Sequence, residues 1–167
     1  MLRNIQVNGV QFRVADEGLG PVILFVHGFP LNHSMWQAQI EEFSRTHRVI
    51  APDLRGFGGT DGALYSVSME QFADDLAELL DALAVEGPVI FCGLSMGGYI
   101  AWQFTQRHRN RISKLIVCDT RAAAEQGGLP LVEHLASGDR RPAWVAVDIN
   151  ALGRPAGVDG NRPSGSP

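Results

Sequence analysis

The stretch Gly93-Leu94-Ser95-Met96-Gly97 decides how this chain is read. A serine with glycine two residues to either side is informative only when a strand precedes it and a helix follows. Both are in place. Pro88-Val89-Ile90-Phe91-Cys92 is a short apolar run, bounded by Gly87 and Pro88, and reads as a buried strand. Gly98-Tyr99-Ile100-Ala101-Trp102-Gln103-Phe104 reads as a helix. Ser95 is therefore expected on a sharp strand-to-helix turn, its hydroxyl lifted above the sheet edge. Gly93 and Gly97 are expected there because side chains would collide with the neighbouring strand and helix. The helix N-terminus beside Ser95 favours negative charge developing next to it.

Outward from this turn, strand and helix alternate. Ile5-Gln6-Val7 and Val10-Gln11-Phe12-Arg13-Val14 flank Asn8-Gly9, a strong hairpin signal because both turn positions need positive φ. Val22-Ile23-Leu24-Phe25-Val26 is continuously apolar, as a strand covered on both faces should be. Met35, Trp36, Gln39, Ile40 and Phe43 share one helix face, and Val49-Ile50-Ala51 forms the next strand. Ser68-Met69-Glu70-Gln71 matches a capping box, and the helix it opens presents Phe72, Leu76, Leu79, Leu80 and Leu83. Ile112-Ser113-Lys114-Leu115-Ile116-Val117-Cys118 is a further strand. The order implies an α/β fold with a mainly parallel sheet, an antiparallel hairpin at one edge and helices on both faces.

Past residue 121 the pattern fails. Residues 121–167 hold 7 Gly and 5 Pro, and the whole chain has 13 Arg against the single Lys114. That bias is expected of GC-rich coding DNA, in which an out-of-frame read also gives Arg, Pro, Gly and Ala. Ala143-Trp144-Val145-Ala146-Val147 is the one apolar stretch left, and the only candidate to add as a replacement strand. From about residue 153 the composition predicts disorder. Without a further strand, the outer edge of 112–118 is expected to be open beside Leu115 and Val117, inviting a homodimer through an exposed sheet edge.

The 167 residues suffice for one domain with its own core. A net charge of -4 gives no reason to expect a nucleic-acid partner or an anionic membrane surface. No apolar run approaches the roughly 20 residues of a membrane span, and Met1-Leu2-Arg3-Asn4-Ile5 opens no signal peptide. Cys92 and Cys118 read as buried, reduced thiols, which implies a cytoplasmic location and neither a disulfide nor a metal site.

Three motifs now stand in order: His27-Gly28-Phe29-Pro30, Asp53-Leu54-Arg55-Gly56-Phe57-Gly58-Gly59-Thr60-Asp61 and Gly93-Leu94-Ser95-Met96-Gly97-Gly98, each after a strand. Together they resemble the α/β-hydrolase superfamily, in its esterase, lactonase and cofactor-free haloperoxidase branch. The resemblance covers residues 5–124, leaving 125–167 as a diverged or partly disordered tail. It implies Ser95 as nucleophile, with an oxyanion hole from the backbone N–H groups of Met96 and Phe29. It implies His27, Asp53 and Arg55 as loop-ordering residues, the last two as a pair holding the 56–59 turn. No cofactor and no metal are implied, and the substrate is a small-molecule ester, lactone or thioester.

The family's chain order is Ser, then acid, then His. Its histidine follows the last strand, and this chain is expected to stop before reaching it. Asp119, closing the last recognised strand, is the candidate acid; its alternative is a loop cap beside Thr120 and Arg121. Asp139 and Asp148 lie in the tail. His134, in Leu131-Val132-Glu133-His134-Leu135, reads as a helix-face residue. His108 sits among Arg107, Arg109 and Arg111 at a helix end, and His33 and His47 precede the elbow. Two readings compete: a Ser-dependent hydrolase, and a truncated, catalytically incomplete protein of the same fold acting as a binding or scaffold remnant. A dinucleotide-binding fold is excluded because no G-x-G-x-x-G follows the first strand.

Overall fold

The computed structural model describes residues 1–62 and 67–120 in full, and residues 144–148 by their backbone. The strands are β1 (Leu2–Val7), β2 (Val10–Glu17), β3 (Val22–Val26), β4 (Arg48–Pro52), β5 (Val89–Leu94), β6 (Ile112–Cys118) and β7 (Trp144–Asp148). They form one sheet in the order β1-β2-β4-β3-β5-β6-β7. The helices are α1 (Gln37–Phe43), α2 (Met69–Ala82) and α3 (Met96–Arg107).

The hairpin forms where two residues accept positive φ. Asn8 has φ 50° and Gly9 φ 73°, and Val7 then pairs with Val10 and Ile5 with Phe12. The turn thereby fixes the register that sends Phe12 and Val14 into the core. At the sheet's centre β3 runs parallel to β4 and β5, and β5 parallel to β6. Parallel neighbours need crossovers, and α2 and α3 supply two of them.

Strand residues alternate between two cores. Leu24, Val26, Ile50 and Phe91 face Phe72, Leu76, Leu80, Ile100 and Phe104 of α2 and α3. Ile23, Phe25, Val49, Ala51, Cys92 and Cys118 face Trp36 and Ile40 around α1. Ser68 caps α2 as the sequence predicts, its hydroxyl accepting from Gln71 N–H at 3.2 Å. The face predicted for 35–43 begins as a 3-10 turn, His33–Trp36, and becomes α-helical only from Gln37. Asn32 caps that turn by accepting from Ser34 N–H, and Phe43 at the far end is 40% exposed.

The second edge differs from expectation. The outer edge of β6 is not open: β7 lies against it, antiparallel, with Cys118 opposite Trp144 and Lys114 opposite Asp148. Leu115 is buried in the core shared with α2 and α3. A parallel centre is thus flanked by antiparallel pairs on both sides. Apart from β7, the tail expected to diverge or be disordered, 125–167, lies outside the described residues, as do 121–124. Among the described residues, no helix is long and apolar enough to cross a membrane.

Candidate active site

Ser95 stands between the last residue of β5 and the first of α3, with φ 49° and ψ −109°. A non-glycine residue in this region costs about 1–3 kcal/mol, so its surroundings must hold it. They do so largely through the backbone. Ser95 N–H donates to Cys118 O at 2.9 Å, and Gly98 N–H donates to Ser95 O at 2.9 Å. Close packing adds to this. A Cβ on Gly97 would lie 2.4 Å from Val26 O, and one on Gly93 would lie 2.3 Å from Gly97 O. Both are backbone atoms that cannot swing aside. The collisions expected from the sequence are therefore real ones. Ser95 Oγ makes no capping bond, and it has no partner among the described residues.

The loop after β3 reaches the same point. A Cβ placed on Gly28 would lie 3.3 Å from Ser95 Cβ, which measures how near that backbone runs to the nucleophile. The next residue, Phe29, donates its N–H to no group among the described residues. Met96 N–H, in the first turn of α3, has no intrahelical acceptor. The two donors assigned to an oxyanion hole thus lie on the two loops that meet at Ser95. The Phe29 ring is 66% exposed and packs edge-on against Phe57, centroids 5.9 Å apart.

His27 is fully buried. Its Nε2 accepts from Leu54 N–H at 3.0 Å, so Nδ1 carries the proton and donates to Gly28 O at 3.0 Å. Burial, the largest influence, pushes its pKa below the usual histidine range. A neutral imidazole with both nitrogens committed ties the β3 loop to the β4 loop and has no capacity left to act as a base. Asp53 is equally buried. Its Oδ1 accepts from His33 N–H at 2.7 Å and meets His33 Nδ1 at 2.5 Å, while Oδ2 accepts from Gly59 N–H at 2.7 Å.

Asp53 and Arg55, the two residues expected to hold the 56–59 turn, make no bond to each other. Arg55 turns toward α2 and forms a two-pronged ion pair with Asp75, both contacts 2.7 Å. The reason lies in Asp75, which is 1% exposed and also accepts from Asn8 and Gln71. A buried carboxylate needs such partners. Asp75 was missed in the sequence, although an acid set between Phe72, Leu76 and Leu79 on an apolar helix face signals a buried cationic partner.

Asp119 does lie at the sheet edge after β6, exposed, with φ 46°. Each described histidine is engaged elsewhere: His33 with Asp53, His47 with Thr46, and His108 with Asp74 at 2.7 Å. None bonds Ser95. His134 and Asp139 fall outside the described residues, and of Asp148 only the backbone is described. Cys92 and Cys118 are unbridged and buried, and the Cys118 sulfur together with burial pushes the Cys92 thiol up, so it stays protonated. Among the described residues there is no cluster that could hold a metal ion.

The family model for the alpha/beta hydrolase fold matches residues 21–157. Epoxide hydrolase 3 of Xenopus tropicalis is 40% identical over 114 residues, 66% of this chain and 31% of that protein. Among solved structures, a thermophilic esterase from Thermogutta terrifontis superposes with a TM-score of 0.68 at 43% identity, over 75% of this chain and 48% of the other. Est816, described as an N-acyl homoserine lactone degrading enzyme, superposes with a TM-score of 0.68 at 32% identity, over 72% and 46%. The chain therefore spans about a third of that curated relative and under half of each solved structure.

Proposed function

Because the chain belongs to the α/β-hydrolase fold family, we propose that it carries the nucleophile of a hydrolase acting on carboxylic ester, lactone or thioester bonds. The observation that carries this reading is Ser95 itself: a strained elbow residue whose hydroxyl has no partner among the described residues, where the Phe29 and Met96 loops meet. Oγ attack on an acyl carbon would form a tetrahedral oxyanion, which two fixed N–H donors can stabilise. Collapse expels the alcohol or thiol and leaves an acyl ester that water can hydrolyse. The esterase and lactone-degrading enzyme among the structural neighbours support this substrate class. The two unbridged, buried thiols support a reducing, cytoplasmic location.

The curated relative's name favours a second reading, epoxide opening. Chemistry separates the two. Serine attack on an epoxide carbon leaves an ether, which offers water no carbonyl, so the protein would be alkylated once. Only a carboxylate nucleophile leaves a hydrolysable ester. Ser95 thus favours acyl over epoxide substrates. The deciding experiment compares a p-nitrophenyl ester with styrene oxide, using the whole chain and Ser95→Ala. Nitrophenol release lost in the variant is expected; catalytic diol formation would overturn the acyl reading.

A catalytically incomplete protein is the remaining alternative, since every described histidine is engaged away from Ser95. Without a base, labelling of Ser95 by a fluorophosphonate should be slow. Fast, stoichiometric labelling absent from Ser95→Ala would mean that a base is supplied and the chain is a competent enzyme.

A further inference from the structure

We infer that Thr120 is the positioning residue of the nucleophile, a role that rests on Ser95 acting as one. Ser95 cannot keep a left-handed backbone without support on both sides of its peptide. Its N–H is held by Cys118 O at 2.9 Å. Its carbonyl accepts from Thr120 Oγ1 at 2.7 Å. Among the described residues, Thr120 is the one whose side chain bonds the Ser95 backbone.

The two supports come from a single short segment. Asp119, between them, has φ 46°. That second left-handed residue turns the chain so that the Cys118 carbonyl and the Thr120 hydroxyl both face Ser95. Two strained residues, each just past the end of one of two adjacent parallel strands, thus lock each other, since Leu94 lies opposite Cys118 in the β5–β6 register. The hydroxyl is also fixed in place. A Cβ on Gly98 would come within 2.1 Å of Thr120 Oγ1 and 2.7 Å of its Cγ2. Thr120 therefore rests on the first turn of α3, where only glycine leaves room for it.

Loss of the hydroxyl would not orphan the Ser95 carbonyl, because Gly98 N–H still donates to it. The chain should fold without Thr120 Oγ1, but with the elbow free to relax. A nucleophile displaced by a fraction of an ångström to about 1 Å loses on the order of 100-fold in rate while ground-state binding persists. Thr120 would then act on kcat and leave KM alone.

The test uses the whole chain and two variants. Thr120→Val keeps the branched shape and removes the donor; Thr120→Ser keeps the donor and removes the methyl. Two readouts are taken: ester hydrolysis, and amide hydrogen exchange at Ser95. For Thr120→Val, kcat should fall roughly 10- to 100-fold at unchanged KM, the scale of a misplaced nucleophile. Ser95 amide exchange should rise about tenfold or more, while β3 amides keep their protection. Thr120→Ser should stay near wild type in both. If the wild type hydrolyses no ester, the acyl reading fails and the exchange readout alone decides the role of Thr120. Wild-type Ser95 protection in Thr120→Val overturns the inference, as does a Thr120→Ser variant that behaves like Thr120→Val.

Discussion

The turn after β5 and the turn after β4 end at the same sheet edge, yet they are held by opposite means. The Ser95 elbow is fixed chiefly by volume: glycines pressed against backbone carbonyls, with main-chain bonds and the Thr120 hydroxyl around one strained residue. The 53–60 turn is fixed by buried polar side chains. Asp53 gathers His33 and Gly59, Thr60 Oγ1 donates to Asp53 O at 2.7 Å, and His27 anchors Leu54. The first should fail when atoms are added, the second when charge or acceptors are removed.

Gly97→Ala should have the largest effect. Its new Cβ would meet Val26 O and His27 O, and neither strand can yield. Overpacking costs about 1–3 kcal/mol and occasionally more, and against unyielding backbone the upper end is expected, so the urea midpoint should fall further than in any other variant here. A mild effect would mean that the elbow is not volume-limited.

Asp53→Asn tests the other turn. An amide keeps one acceptor oxygen, while the carboxylate uses both of its oxygens, and the new NH2 group would face a donor. A loss of about 2–3 kcal/mol is expected from the buried groups left unsatisfied. Gly97→Ala should exceed it.

Ser95→Gly sharpens the contrast by changing sign. Glycine tolerates φ 49° at no steric cost. The variant should gain about 1 kcal/mol in stability and lose all fluorophosphonate labelling. Destabilisation would show that Ser95 is relaxed where it stands.

The smallest effect is one of pH. His27 has a lower pKa folded than unfolded, so the unfolded chain binds more protons once pH falls toward the unfolded value, about 6.5. The stabilisation from neutral His27 is complete above that value and drains away below it, at a slope of up to about 1.4 kcal/mol per pH unit. His27→Gln should flatten this part of the profile relative to wild type. An unchanged slope would leave His27 out of the pH response.

How much of this was legible in the sequence follows from the range of each interaction. Asn8-Gly9, Ser68 as a cap, and the apolar run of β3 are local signals: they place the turn, the start of α2 and all of β3, while β1 and β2 each run three residues further at their outer ends. The glycines around Ser95 announced a tight approach, although not that Val26 O was the obstacle. The partner of Arg55 is not legible there, because Asp75 lies 20 positions away and only packing of α2 brings it near. The covered edge of β6 escaped for the same reason. Residues 143–147 carried the apolar pattern, but nothing local in them specifies an antiparallel neighbour.

The clamp on Ser95 also sets an order in time. Cys118 and Thr120 are made after Ser95, and β6 reaches β5 only once α3 has closed the crossover between them. Until then the elbow has neither support and no reason to adopt its strained backbone. Ser95 is therefore an ordinary serine in the nascent chain and becomes distinctive only when β6 docks. Its chemical reactivity would report completion of the sheet, appearing later in refolding than the hairpin, which needs only its own turn.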